Sequence, residues 1–242
     1  MVGSAKYAKI YHTRCAHLAL DTIWLYIHII APGKMTHRSA SWLAAVFLGA
    51  CGHSPNGAVN APADTDLRAP ERFGSIVDRD ERARALFVEA SRVLVHPRCV
   101  NCHPSGDSPA QGDDGRVHDP PVSRGDDDRG VWAMRCTSCH QDTNLVLARV
   151  PGAPSWHLAP RPMAWVGHTP GAICEQMKDP ARNGGKTLAA IVEHATHDPL
   201  VGWAWTPGSG RAAPPGSQER FGALIAAWAN DGAACPQKET QP

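Results

Sequence analysis

Two five-residue stretches carry the chemistry of this chain: Cys99-Val100-Asn101-Cys102-His103 and Cys136-Thr137-Ser138-Cys139-His140. Each is a C-x-x-C-H motif, the pattern of covalent haem c attachment. The two thiols add across the porphyrin vinyl groups, and the histidine that follows binds the iron from the proximal side. The two-residue gap therefore has a chemical cause, the spacing of the vinyls. On this reading Cys99, Cys102, Cys136 and Cys139 are attachment residues, His103 and His140 are proximal ligands, and the chain carries two haem c groups. The competing use of paired C-x-x-C is a tetrahedral zinc site. Against zinc, both pairs carry the immediate histidine, and 33 residues separate Cys102 from Cys136.

The sixth iron ligand governs potential and reactivity, a methionine opposite histidine raising the potential and a second histidine lowering it. Met163 lies in a proline-bounded loop suited to holding a ligand still, and His157 in the same loop competes with it. His118, between the motifs, could reach either iron. Met134 is too close to Cys136 to reach the far face of the same haem, and Met177 reads as core in a helix. His168, His194 and His197 read as surface or capping residues. Arg98 and Arg135 immediately precede the attachment cysteines, where a guanidinium could meet a haem propionate. No nucleophile or general base stands out. That favours an electron relay between a dehydrogenase and a downstream acceptor. The alternative is a small peroxidase-like haem enzyme with one open iron.

Haem c is attached outside the cytoplasm, and the N-terminal region fits export. His37 and Arg38 after Met35 form a basic start, Ala40 to Leu48 an apolar stretch, and Leu48-Gly49-Ala50-Cys51 a small-residue cleavage box. This resembles bacterial lipoproteins, whose mature N-terminal cysteine is acylated. The expectation is translation from Met35, a lipid on Cys51, and a periplasm-facing protein anchored in the outer membrane; an ordinary cleaved signal is the alternative. Of the eight cysteines, Cys174 and Cys235 are left over, and in an oxidising compartment they are most simply one disulfide. Beyond Cys51 there are 19 basic and 22 acidic residues, a net charge of −3. That argues against nucleic acid as a partner.

These motifs need elements to position them. With 22 glycines, 21 prolines and only 6% aromatics, the chain is rich in turns and short of bulky core; two haems would fill the deficit. Residues 51–70 read as a flexible tether, 71–236 as the folded domain and 237–242 as a tail. Asp78-Arg79-Asp80-Glu81 opens a helix with Leu86, Phe87, Ala90, Val93 and Leu94 on one stripe, ending at His96-Pro97. Thr169-Pro170 caps a segment running to about Met177. Lys186 to His194 reads as a short helix with Leu188, Ile191 and Val192 inward. Ser217 starts a last helix bearing Phe221, Leu224, Ile225 and Trp228. Ser105 to Gly130 reads as an ordered loop over a haem, and no strand alternation is convincing. The fold expected is mostly α and loop-rich, one compact diheme cytochrome c-like domain.

Three segments, His96 to Pro104, Trp156-His157-Leu158-Ala159-Pro160 and Lys178 to Gly185, together resemble a group of bacterial exported diheme cytochrome c proteins. Some members are labelled isoquinoline 1-oxidoreductase subunit. The resemblance covers roughly Glu71 to Pro236. It implies partnership with a molybdenum hydroxylase that passes electrons outward, although nothing in this chain would bind molybdenum itself.

Overall fold

The structure is a computed structural model and describes residues 66–237, all within one compact unit. Cys51, the export signal and most of the tether lie outside the described residues. Helix α1, Arg79–Leu94, starts where Asp78 accepts the amide of Glu81 at 2.7 Å, and Asp80 and Glu81 place negative charge in its first turn. Its apolar stripe of Leu86, Phe87, Ala90, Val93 and Leu94 is at most 3% exposed. The helix stops before His96-Pro97, because proline disfavours helical backbone at the residue before it. Pro97 then opens a one-turn helix, α2, Pro97–Val100, which carries the first cysteine.

Four further helices enclose the first motif. Helix α3 is Pro170–Lys178, capped by Thr169 with proline at its start; α4 is Leu188–His197, capped by Thr187. One-turn α5, Pro199–Gly202, is capped by Asp198, and the C-terminal α6, Gln218–Asn230, by Ser217. Helix α6 buries Phe221, Leu224, Ile225 and Trp228 against both α1 and α4, and the rings of Phe87 and Trp228 stand 5.1 Å apart. This is one core, joined by Ile173 and Cys174 of α3 and Ile191 of α4. A disulfide links Cys174 to Cys235.

The molecule is helix-rich with few, short strands. The strands form two hairpins that the sequence reading does not contain: β1, Ala110–Gln111, with β2, Arg116–Val117, and β3, Gly130–Val131, with β4, Met134–Arg135. Pairs this short have no room for the alternation that reveals a strand. Residues 105–130 are pinned by Arg124, which is buried and donates to Asp128, to the Ala159 carbonyl at 2.8 Å and to the Gly106 carbonyl at 3.1 Å.

Two local expectations need correcting. Helix α4 begins two residues later than Lys186 and runs on to His197, and Leu188 at its start is 37% exposed instead of facing inward. Thr187 takes the cap, so the first helical residue has no turn before it to pack beneath. Leu67, in the stretch read as tether, is buried, and the neighbouring Arg68 reaches Glu89 at 2.7 Å. The folded unit thus includes residues before Glu71.

Candidate haem-attachment sites

Each C-x-x-C-H motif closes one helical turn. His103 donates its amide to the Cys99 carbonyl at 3.1 Å, and His140 donates to that of Cys136 at 2.9 Å. One turn brings positions i, i+3 and i+4 to one face, so two thiols and an imidazole share a face in each motif. All four cysteines are unpaired thiols.

The two histidines are held alike. His103 Nδ1 lies 2.7 Å from the Met163 carbonyl oxygen, and His140 Nδ1 lies 2.8 Å from that of Pro151. A carbonyl only accepts, so each Nδ1 carries the proton and each Nε2 is left with its lone pair. Outer hydrogen bonds of this kind fix tautomer and ring direction in metal-ligating histidines. A tryptophan backs each ring: Trp165 stacks on His103 at 3.4 Å and 10°, and Trp156 on His140 at 4.4 Å and 3°. Burial holds both imidazoles neutral, lowering His103 to about 3 and His140 in the same direction. Burial likewise pushes the Cys99 thiol up to about 12 and Cys102 to about 11.

One strap, residues 156–165, serves both motifs. Trp156 belongs to the second site, while Ala159 donates to the Cys102 carbonyl at 3.0 Å and Trp165 to the His103 carbonyl at 2.9 Å. Cys136 in turn raises the thiol pKa of Cys102, so the two motifs are neighbours.

The first motif opens on a largely apolar cleft with about 1010 Å³ of empty space, counted out to its mouth. Cys99, Cys102 and His103 with the strap form one wall; Ile191, His194 and Ala195 of α4 and Leu200, Val201 and Trp203 contribute to the rest. Two donors in this wall have no partner although they are buried: Arg98 Nε and Trp165 Nε1. Arg98 spends its other end on the Gly112 carbonyl and Asp113 Oδ1, both at 2.6 Å. Buried donors without acceptors are uncommon in folded proteins, and here both border the space a haem would enter.

The second motif is more open. Cys139 is exposed, as are Trp132 and Met134 nearby. Arg135 turns to Asp127, donating at 2.9 and 2.6 Å, and so ties β4 to the segment that precedes β3. His118 stands over His140, ring centres 6.0 Å apart and planes at 63°. Its Nδ1 lies 2.8 Å from the Pro120 carbonyl oxygen, so its Nε2 is also the free nitrogen.

Of the sequence candidates, then, His118 joins the second motif. Met163 joins the first, buried, with its main chain behind His103. His157 lines the same cleft from the strap. Trp156, Trp165 and the two carbonyl anchors had not been singled out. The tryptophans could have been noticed as aromatics flanking the Met163 loop; the carbonyls leave no trace in residue type. Comparison with known proteins found no matching family model, no matching curated protein and no matching solved structure.

Proposed function

We propose that the chain is an exported c-type cytochrome that holds two haem c groups and relays electrons between a dehydrogenase and a downstream acceptor. The observation that carries this reading is the duplicated arrangement: a thiol pair and an imidazole on one turn, Nδ1 committed to a carbonyl, Nε2 free and a tryptophan behind. When bound, a haem iron takes up and releases one electron between its ferric and ferrous forms.

The residues present fit such a group. Cys99 and Cys102 would bind the first haem and Cys136 and Cys139 the second, with His103 and His140 as proximal ligands. Arg98 Nε and Trp165 Nε1 are the donors suited to propionates of the first haem. Met163 and Pro151 supply the carbonyls that orient the proximal rings. His118, with its ring centre 6.0 Å from that of His140 and its Nδ1 committed to the Pro120 carbonyl, is the residue that would hold the second haem together with His140. The main chain of Met163 lies on the proximal side of His103, which favours an orienting role over distal ligation of that haem.

Among the described residues no three His, Cys, Asp or Glu side chains gather as a cation cage; a haem iron needs only one ring nitrogen from each turn. The Cys174–Cys235 disulfide suits an oxidising compartment, and we place the protein facing the periplasm on a lipid at Cys51. The family it resembles points to a molybdenum hydroxylase as the donor.

The test is expression in a periplasm with a haem-attachment system, followed by haem quantification. Two covalent haems per chain are expected, falling to one on Cys99→Ser/Cys102→Ser or Cys136→Ser/Cys139→Ser. A chain that leaves that system without covalent haem ends the cytochrome reading. Rapid reaction of the ferric protein with cyanide or peroxide would replace the relay with an enzyme.

A further inference from the structure

We infer that His194, on α4, is the distal ligand of the first haem, oriented for that role by Asp198. This rests on the haem reading above and goes beyond it by naming the residue that completes the first iron. Ile191, His194 and Ala195 fall at i, i+3 and i+4 of α4 and all three line the cleft, so His194 is on the helix face turned towards the space before His103.

The ring is held for ligation. His194 Nδ1 lies 2.9 Å from Asp198 Oδ2. The other oxygen, Oδ1, caps α5 through the amides of Leu200 at 2.8 Å and Val201 at 3.4 Å, and the Asp198 carbonyl accepts from Gln218 at 2.9 Å. The carboxylate is therefore fixed from several directions. A carboxylate oxygen accepts. Nδ1 is therefore the donor, which leaves Nε2 as the nitrogen available to the cleft. A carboxylate behind a histidine is a recurrent outer-shell arrangement for a metal ligand.

The other donors in the cleft sit less well. Met163 and Met177 belong to the side that backs His103: the Met163 carbonyl holds its Nδ1, and α3, which carries Met177, packs against α1 and the turn Arg161–Met163. His157 is two residues from Ala159, whose amide is bonded to Cys102, so its main chain runs along the proximal wall. Helix α4 is the wall packed on α6 and α5 instead.

The experiment uses the full chain loaded with both haems. Ferric wild type should show two histidine–histidine haems by near-infrared magnetic circular dichroism and electron paramagnetic resonance. A sulfur-to-iron band, which would mark Met163 or Met177, overturns the assignment. His194→Ala should keep two covalent haems, since the thioethers hold them, while one of the two turns high-spin and binds cyanide. Added imidazole should restore its low-spin spectrum. His194→Met should raise the midpoint potential of that haem alone. Asp198→Asn should keep it low-spin but shift its potential, the signature of a positioning residue. If both haems stay low-spin in His194→Ala, or if His157→Ala or Lys186→Ala, both at residues that line the cleft, produces the high-spin haem instead, His194 is not the ligand. A wild-type chain with no haem removes both this inference and the function it rests on, whereas a wild type that holds two haems without two histidine–histidine signatures removes only this one.

Discussion

Glu89 is a buried carboxylate on α1, 3% exposed, that meets two arginines: Arg68 at 2.7 Å and Arg92 at 2.6 Å. Burial alone would raise its pKa, but the Arg68 amide and both side chains outweigh that and hold it below its ordinary 4.5. The folded state thus binds fewer protons than the unfolded one. The stability Glu89 contributes is complete above pH 4.5 and drains away as pH falls through the folded value. Glu89→Gln should cost about 1–3 kcal/mol at pH 7 by loss of charged hydrogen bonds, and the gap to wild type should close as pH falls through the folded value. Urea unfolding at several pH values reads this, and a gap independent of pH would refute it. At this scale the sequence was legible where spacing alone sets geometry, as at Cys99 to His103 and Cys136 to His140, whose residues three and four apart share one helical turn. It was not legible at His194. Next to His197 that residue looked like a capping histidine, and its real partner, Asp198, lies four residues on, an ordinary i, i+4 pairing. Only the position of the cleft gives that pair a meaning.

Elements with local start signals were legible in the same way. Asp78, Thr169 and Ser217 each cap the helix expected of them, because a cap depends on the next three residues only. The strap over the two motifs was not, since what it contributes is backbone and ring faces brought from far along the chain. Its entrance yields a sharp prediction at Gly152. A Cβ there would sit 2.2 Å from the Thr143 carbonyl oxygen and 2.4 Å from that of Gln141. The amide of Gly152 is tied to Asn144 Oδ1 at 3.0 Å, and the same oxygen accepts from Trp203 Nε1 at 2.9 Å. Two backbones this close cannot yield cheaply, so Gly152→Ala should destabilise by about 1–3 kcal/mol. It should also push the Pro151 carbonyl away from His140 Nδ1. The expected readout is a changed potential for the second haem with the first unaltered, measured by spectroelectrochemistry. Equal shifts in both haems would mean that the strap moves as one body.

The whole molecule is closed by the tie between Cys174 and Cys235, which are 61 residues apart. The pairing expected from cysteine elimination is present, and its position explains what it holds. Cys174 is fully buried on α3, while Cys235 follows α6, just after the Ala234 carbonyl that accepts from Trp228 Nε1 at 3.1 Å. The bond therefore joins the helix behind the first motif to the end of the helix that seals the core. A Cβ at Gly171 would come within 2.5 Å of the Pro236 carbonyl oxygen, so the two segments also touch through backbone. A loop of this length loses about 4 kcal/mol of unfolded-state entropy when cross-linked in the chain-entropy view, and about 2–4 kcal/mol is the usual measured gain. Cys174→Ser/Cys235→Ser should lower unfolding stability by that amount. It should leave two haems per chain with unchanged spectra, because neither cysteine lines the cleft. Reductant added to the folded wild type should reproduce the loss without releasing haem, since thioethers resist reduction. An unfolding midpoint indifferent to both the variant and the reductant would show that backbone contact at Gly171 holds the two helices without the bond.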